Sequence, residues 1–437
     1  MSSSLTEPPD REAAQRSRLI AIPTSAPDLN AASFRKAQWR ILFLVMFCYL
    51  FFYLGRQNFG FAAKGMQEAL GLSSAAIGMF SGALLIGYGI GQAINGNLSD
   101  RFGARRMVAI GAVLSVMLNW GVSFSSSFLV ALICWGANGL AQSTAWPALS
   151  RTLANWWPRH ERGKAIGFYL LAAGASSSLT FLLCILVTQT LDWRWVFRLP
   201  VLLILVGSAI FVLYGRNRPE DRGFPPLPPE AADDPVGARS ETSWQCYGKV
   251  LRNGAFLWAC LSIGCESIAR YGLLSWVPVH FLGTNWKQNT AGLWITLALP
   301  VGMAAGALTA GLIADRWFPE KRSRVVLYYL AAAAVATALL SQLSTHNPII
   351  VILLLAGSGF LVYGPQSTYW ALCPELVGRE RSGTATGLMD ASAYGFAAVG
   401  QVVIGYVIDK THSTASAFTV IAICCVLGAI TIIPVKK

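Results

Sequence analysis

From Trp39 to Pro434 the chain repeats one pattern, in which stretches of about 20 mostly apolar residues are separated by short polar segments. Twelve such stretches can be placed, several of them broken by Gly or Pro, and each is long enough to cross a bilayer as a helix. The pattern predicts an all-α membrane protein of twelve transmembrane helices. The first 37 residues carry no apolar core and mix both signs of charge, which suits a disordered cytoplasmic tail better than a cleavable leader.

The polar punctuation divides the apolar region. Spans one to six fall within residues 38–214 and spans seven to twelve within 253–437. Residues 215–252 form a segment rich in Pro, Asp, Glu and Arg, including Arg218-Pro219-Glu220-Asp221-Arg222-Gly223-Phe224-Pro225. Such a composition predicts a cytoplasmic tether that does little packing.

Composition sharpens this reading. Only 13% of the 437 residues are charged, against roughly 25% in soluble proteins. The net charge of +13 would suit nucleic acid if it were spread over a soluble surface. Instead the Lys and Arg concentrate in the tail, in alternate loops (Arg101 to Arg106, Arg151 to Lys164, Arg216 to Arg252, Arg316 to Arg324, Arg379 to Arg381) and at the C-terminus. Few, such as Lys64, Arg194 and Lys410, fall on the other side. The positive-inside rule therefore places both termini in the cytoplasm.

Nine cysteines lie mostly in apolar spans without paired loop spacing, and four histidines are dispersed, so neither disulfides nor a metal site are expected. No P-loop pattern is present, and an enzyme or a cofactor is not expected either.

The loop after the second span reads Gly96-Asn97-Leu98-Ser99-Asp100-Arg101-Phe102-Gly103-Ala104-Arg105-Arg106. Its counterpart in the second half reads Gly311-Leu312-Ile313-Ala314-Asp315-Arg316. A further echo pairs His160-Glu161-Arg162-Gly163 with Arg379-Glu380-Arg381-Ser382-Gly383. The pattern resembles the signature loop of the major facilitator superfamily. The resemblance implies two pseudo-symmetric six-helix halves rocking about a midplane site, with Gly96, Asp100, Arg101, Gly103, Arg105, Arg106, Asp315 and Arg316 in gating or structural roles.

Arg56 and Arg270 lie inside the first and seventh spans, at equivalent places in the two halves. A cation near mid-bilayer costs at least ~2.5 to 3.5 kcal/mol on insertion scales, so two at repeat-related positions read as an anion clamp. Guanidinium groups fork onto carboxylate or phosphate oxygens, and a pair favours a dianion such as phosphate. Snorkelling of each arginine to an interface, or pairing of Arg270 with Glu266 one turn away, is the structural alternative.

Other polar groups fall at helical spacing: Tyr53 with Arg56, Tyr88 with Gln92, Tyr363 with Gln366, and Asp390 with Tyr394. Trp146-Pro147 and Gly364-Pro365 occupy comparable places where a helix can open. Glu266 and Asp390 are acids at membrane depth, suited to proton coupling, to charge pairing with an arginine, or to holding an ammonium group.

Tyr53-Leu54-Gly55-Arg56-Gln57-Asn58-Phe59, Gly139 to Pro147 with Arg151 and Trp156-Trp157, Arg270-Tyr271-Gly272-Leu273-Leu274-Ser275-Trp276 and Tyr363-Gly364-Pro365 together resemble the organophosphate:phosphate antiporters, a family of glycerol-3-phosphate and hexose-phosphate carriers. The resemblance implies exchange of inorganic phosphate for an organic phosphate at Arg56 and Arg270. The proposed substrate set also includes Tyr53, Tyr88, Gln92, Trp146, Tyr363, Gln366 and Tyr394.

Departures are as informative. Gln92 stands where glycerol-3-phosphate carriers have a lysine, and Tyr169-Leu170-Leu171-Ala172-Ala173-Gly174 stands where they have a run of Trp, Asn and His. A substrate other than glycerol-3-phosphate is expected, one with an amino group being a candidate. Two alternatives stay open at this stage: a proton-coupled symporter of another organic anion such as a sugar acid, and a membrane sensor of sugar phosphates that does not transport. The implied partners are a small anionic substrate, inorganic phosphate or protons, and the bilayer of an inner membrane, with the protein a monomer and no nucleic acid bound.

Overall fold

The computed structural model describes residues 31–225, 227, 243–282, 294–318, 321–342, 347–378 and 382–435. The first span is α1 (Ala31–Phe52), a short 3-10 turn (Tyr53–Gly55) and α2 (Phe59–Leu70). Spans two and three are α3 (Ser74–Phe102) and α4 (Ala104–Phe124), and the fourth is divided into α5 (Phe128–Gln142) and α6 (Ala145–Trp156). The fifth is α7 (Arg159–Thr190); a turn at Trp193–Phe197 leads into α8 (Leu202–Tyr214), the sixth.

After α9 (Ser243–Leu251), the second half begins with α10 (Gly254–Leu282), α11 (Ala298–Trp317) and α12 (Arg322–Gln342). The tenth span is divided into α13 (Pro348–Tyr363) and α14 (Gln366–Val377), and α15 (Ser382–Thr411) and α16 (Ser416–Ile432) complete the set. Among the described residues, ten helical stretches are long and apolar enough to cross a membrane. The 29-residue α10, which carries Glu266 and Arg270, and the shorter apolar α16 bring the spans to twelve.

The breaks have local causes. Pro365 lacks the N–H that would continue the ladder from α13, and α14 restarts directly after it. Pro147 similarly sits in the first turn of α6, where a missing donor is tolerated.

The first span breaks for a different reason. The Gly55 carbonyl accepts hydrogen bonds from Asn119 Nδ2 at 3.1 Å and Asn138 Nδ2 at 2.7 Å, so it serves α4 and α5 rather than its own helix. Asn58 Nδ2 in turn donates to Asn119 Oδ1 and to the Val196 carbonyl, both at 3.1 Å. A Cβ on Gly55 would overlap Gln142 Nε2 and come within 2.8 Å of Ser115 Oγ. Only glycine fits there.

The two halves meet along α3 and α15, α7 and α11, and α2 and α10. Contacts are backbone-close: a Cβ on Gly78 would collide with the Gln401 carbonyl, and one on Gly405 with the Ser74 carbonyl. On the face opposite the basic loops, Asp409 of α15 caps α3. Its carboxylate accepts from Ser74 N at 2.7 Å and Ala75 N at 2.8 Å. Two free helix-end donors and the positive end of the α3 dipole are thereby satisfied across the junction.

Two sequence expectations change. Residues 31–37, expected in the disordered tail, are the first turns of α1. Phe34 stacks near Trp156 (6.1 Å), Arg35 pairs with Glu161, and Gln38 Nε2 donates to the Trp156 carbonyl at 2.7 Å. The first part of the linker also packs: Pro219–Arg222 forms a 3-10 turn and Phe224 sits 5.3 Å from the Phe34 ring. The charged composition concealed one aromatic anchor on a proline-set turn. The rest of the tail and of the linker (1–30, 226 and 228–242) lies outside the described residues.

In the signature loop, Gly103 adopts φ +76° between α3 and α4, a conformation that favours glycine. Arg105 Nε donates to the Val212 carbonyl at 2.7 Å in the last turn of α8. Ser99 Oγ bonds the Gly96 carbonyl at 2.8 Å, and Arg101, Arg106 and Arg316 are exposed. The side chains of Asp100 and Asp315, and the echo at 379–381, lie outside the described residues.

Gly55→Ala is expected to destabilise the protein by about 1–3 kcal/mol through overpacking, and Asn138→Ala by a similar amount because it leaves a buried carbonyl short of a donor. Thermal unfolding of the purified variants in detergent measures both, and an unchanged midpoint for Gly55→Ala would contradict the tight fit at this turn.

Candidate functional site

The break at Gly55 sets Arg56. Its backbone leaves the helical region (φ −136°, ψ −22°), which turns the side chain into the centre of the molecule. The guanidinium carbon lies 3.9 Å from the Tyr53 ring centroid and 4.6 Å from that of Tyr88. Nη2 donates a long hydrogen bond of 3.4 Å to the Tyr49 hydroxyl. Sequence spacing placed Tyr53 and Arg56 on one helical face; they do meet, but through a 3-10 turn and a bend.

Arg270 sits within the unbroken α10 and is buried. Its Nη1 donates to Gln366 Oε1 at 2.8 Å, and its guanidinium lies 4.5 Å from the Tyr363 centroid and 4.9 Å from that of Tyr271. Nε has no hydrogen-bond partner among the described residues. The hydrogen bond goes to Gln366, across the half, and not to Glu266 one turn away, which interacts with this arginine only through space.

Aromatic faces favour cations, so each guanidinium is stabilised without a carboxylate bound to it, and N–H donors remain for an anion. The rings also connect the halves. Tyr88 and Tyr394 lie 4.9 Å apart and Tyr394 and Tyr271 5.9 Å apart, which joins the Arg56 cage to the Arg270 cage.

Both arginines line one central cavity of about 40 Å³ with Tyr53, Tyr88, Tyr271 and Tyr394. At roughly 10–15 Å³ for each water position, it holds about three waters. It is closed on the face opposite the basic loops, where a Cβ on Gly60 of α2 would stand 3.1 Å from the Ser275 carbonyl of α10.

The acids take different places. Glu266 is fully buried; Oε2 accepts from Ser267 Oγ at 3.2 Å, whereas Oε1 has no partner among the described residues. Asp390 lies in α15, half-buried, close enough to Arg270 and Arg56 to interact with both electrostatically. With both acids ionised, the two positive and two negative charges balance.

Other expected residues stand back from the cavity. Gln92 is half-buried one turn beyond Tyr88 and does not line it. Trp146 stacks on Tyr169 at 4.8 Å, and Tyr169 packs on Tyr49 at 4.6 Å, so Trp146 supports the Arg56 cage from behind. Tyr363 and Gln366 surround Arg270 without lining the cavity.

Sequence reasoning passed over Tyr49, Tyr271 and Gln57. Tyr49 lies one helical turn before Tyr53 and so carried a spacing signal, whereas Tyr271, directly after Arg270 in a continuous helix, carried none. Trp276, beside the span-seven motif, points away and donates from Nε1 to Gln401 Oε1 at 2.9 Å.

Comparison with known proteins agrees with this architecture. A glycerol-3-phosphate transporter of Bacillus subtilis (strain 168) is 26% identical over 408 residues, covering 90% of this chain and 91% of its own. A phosphoglycerate transporter protein of Salmonella typhimurium (strain LT2) is 25% identical over 418 residues, covering 92% of this chain and 90% of its own. The crystal structure of a D-xylose-proton symporter aligns with a TM-score of 0.68 at 17% identity, covering 91% of this chain and 98% of that one, a likeness of fold alone. The family model of the Major Facilitator Superfamily matches residues 45–400, most of the twelve-span bundle and the whole clamp; the chain belongs to that superfamily of membrane transporters.

Proposed function

We propose that this protein exchanges an organic phosphate for inorganic phosphate by alternating access, with Arg56 and Arg270 as the phosphate ligands. One observation carries the reading. Two guanidinium groups from opposite halves face a single central cavity, each caged by aromatic rings, and Arg270 Nε has no partner among the described residues. Charge-assisted forks from both sides suit a tetrahedral dianion. The phosphate-bearing substrates in the names of the B. subtilis and Salmonella relatives point the same way.

In this reading, phosphate enters from the face of the basic loops, which is the cytoplasm of a bacterial inner membrane, as are both termini. Binding of the dianion draws the arginines together. The halves then close on the basic face while the Asp409 cap and the α2–α10 contact release on the other. Gly96, Asp100, Arg101, Gly103, Arg105, Arg106, Asp315 and Arg316 act in that closure and not as ligands. Two halves enclose the path, so a monomer suffices.

A second reading, uptake of an organic anion with a proton, is favoured by Glu266, whose buried Oε1 has no partner among the described residues. Protonation would relieve that isolated carboxylate at one stage of a cycle. It leads to a different dependence on the proton gradient.

Proteoliposomes loaded with unlabelled phosphate are expected to take up labelled phosphate whether or not a proton ionophore is present. Arg56→Ala and Arg270→Ala should each weaken apparent affinity by about 2–5 kcal/mol, or roughly 30- to several-thousand-fold. Retained exchange in either variant would remove that arginine from the site, and specific binding without flux would indicate a sensor.

Glu266→Gln separates the two readings. Phosphate exchange should persist in this variant with its ionophore insensitivity unchanged, whereas proton-driven accumulation in wild type that is lost in Glu266→Gln would establish the symporter.

A further inference from the structure

A second space adjoins the clamp. Helices α7 and α11 touch where a Cβ on Gly174 would lie 3.0 Å from that of Ala304, and from there they diverge toward the basic face. The gap is a crevice of about 380 Å³, walled by Phe168 and Leu171 on one side and Leu308 and Trp370 on the other. Phe168 and Leu308 stand at its mouth, 41% and 47% exposed. Its lining is almost wholly apolar.

At the end nearest the centre stand Tyr363 and Gln366. These are the side chains that hold Arg270, by ring face at 4.5 Å and by hydrogen bond at 2.8 Å. An apolar slot and a guanidinium with an unpartnered Nε are thus separated by one layer of side chains. On α7 the crevice is lined by Gly167, Phe168 and Leu171, while the Tyr169 ring packs on Tyr49 and Trp146. The polar side chains that line the crevice, Tyr363, Gln366 and Ser367, come from the tenth span and none comes from α7.

We infer that the organic substrate is a phosphate monoester bearing a single apolar chain, with the phosphate on Arg56 and Arg270 and the chain displacing the Gln366 amide from Arg270 to enter the α7–α11 crevice. The inference rests on the assignment of the arginines as phosphate ligands. At about 380 Å³ against about 40 Å³ for the clamp cavity, the crevice has room for an alkyl chain of several carbons. Each methylene moved from water into it should raise affinity about fourfold until the slot is full.

The test uses n-alkyl phosphates of two, four, six and eight carbons. Their binding is read from the thermal stabilisation of the purified protein, with inorganic phosphate exchange in proteoliposomes measured alongside. In wild type the apparent affinity should climb about fourfold per methylene. Leu171→Asn and Leu308→Asn, each of which puts a polar amide in the wall, should flatten that series while phosphate exchange persists. Octanol, which lacks the phosphate, should not stabilise.

A wild-type affinity independent of chain length overturns the inference, and so does an equal climb in the Asn variants, which would mark partition into detergent. Phosphate exchange that proceeds normally in either case would leave the antiport reading standing. Absent exchange with a chain-length series that Leu171→Asn abolishes would reject the antiport and uphold the apolar slot.

Discussion

Everything at the centre of this molecule depends on where one carbonyl points. Inside a bilayer a backbone oxygen has no water to turn to, so a helix can break only if other groups take over its hydrogen bonds. At Gly55, Asn119 and Asn138 do so, and Asn58 ties the next turn to Asn119 and Val196. The first span therefore bends at membrane depth without an orphaned acceptor at that residue. Arg56 follows directly, released from the helix and aimed at the other half. The asparagines do not line the cavity, yet the position of the cation is theirs.

The second half reaches a similar end by other means. Arg270 remains in a continuous helix and is oriented by Gln366, beyond the break that Pro365 makes in the tenth span. Both arginines then rest against tyrosine faces, and the tyrosines touch one another across the junction. A cage of this kind lowers the cost of a buried cation without neutralising it. Carboxylates bonded to the guanidinium groups would have stabilised them more and left less for an anion to gain. When ionised, Glu266 and the nearby Asp390 balance the two cations at longer range.

Much of the architecture was legible from the chain. Apolar runs of bilayer length, alternation of basic loops and the repeated Gly and Asp-Arg loop signature led to twelve helices in two related sets of six. The arginines stood out because charge is rare in such spans. Errors came at the ends of the apolar region. Residues 31–37 and Phe224 looked like tail and tether because their neighbours are polar, while a single aromatic contact among Phe34, Trp156 and Phe224 is enough to order them. Periodicity also brought Gln92 forward as a lining residue, since it reports a helix face and not how far along that face a cavity extends, and the Trp146-Pro147 break did the same for Trp146.

By itself, then, the sequence determined the solvent in which this protein folds, the number and pairing of its helices, and the two cations it carries into the membrane. Those follow from local length, composition and repetition, which each segment expresses independently of the others. The tertiary structure decided which tyrosines cage each arginine, that Arg270 bonds Gln366, that α3 is capped by Asp409 from the far half, and that an apolar crevice opens beside the clamp. These depend on distances between helices far apart in the chain, set by backbone contact at residues such as Gly78, Gly174 and Gly405, where the absence of a side chain says that something comes close but not what.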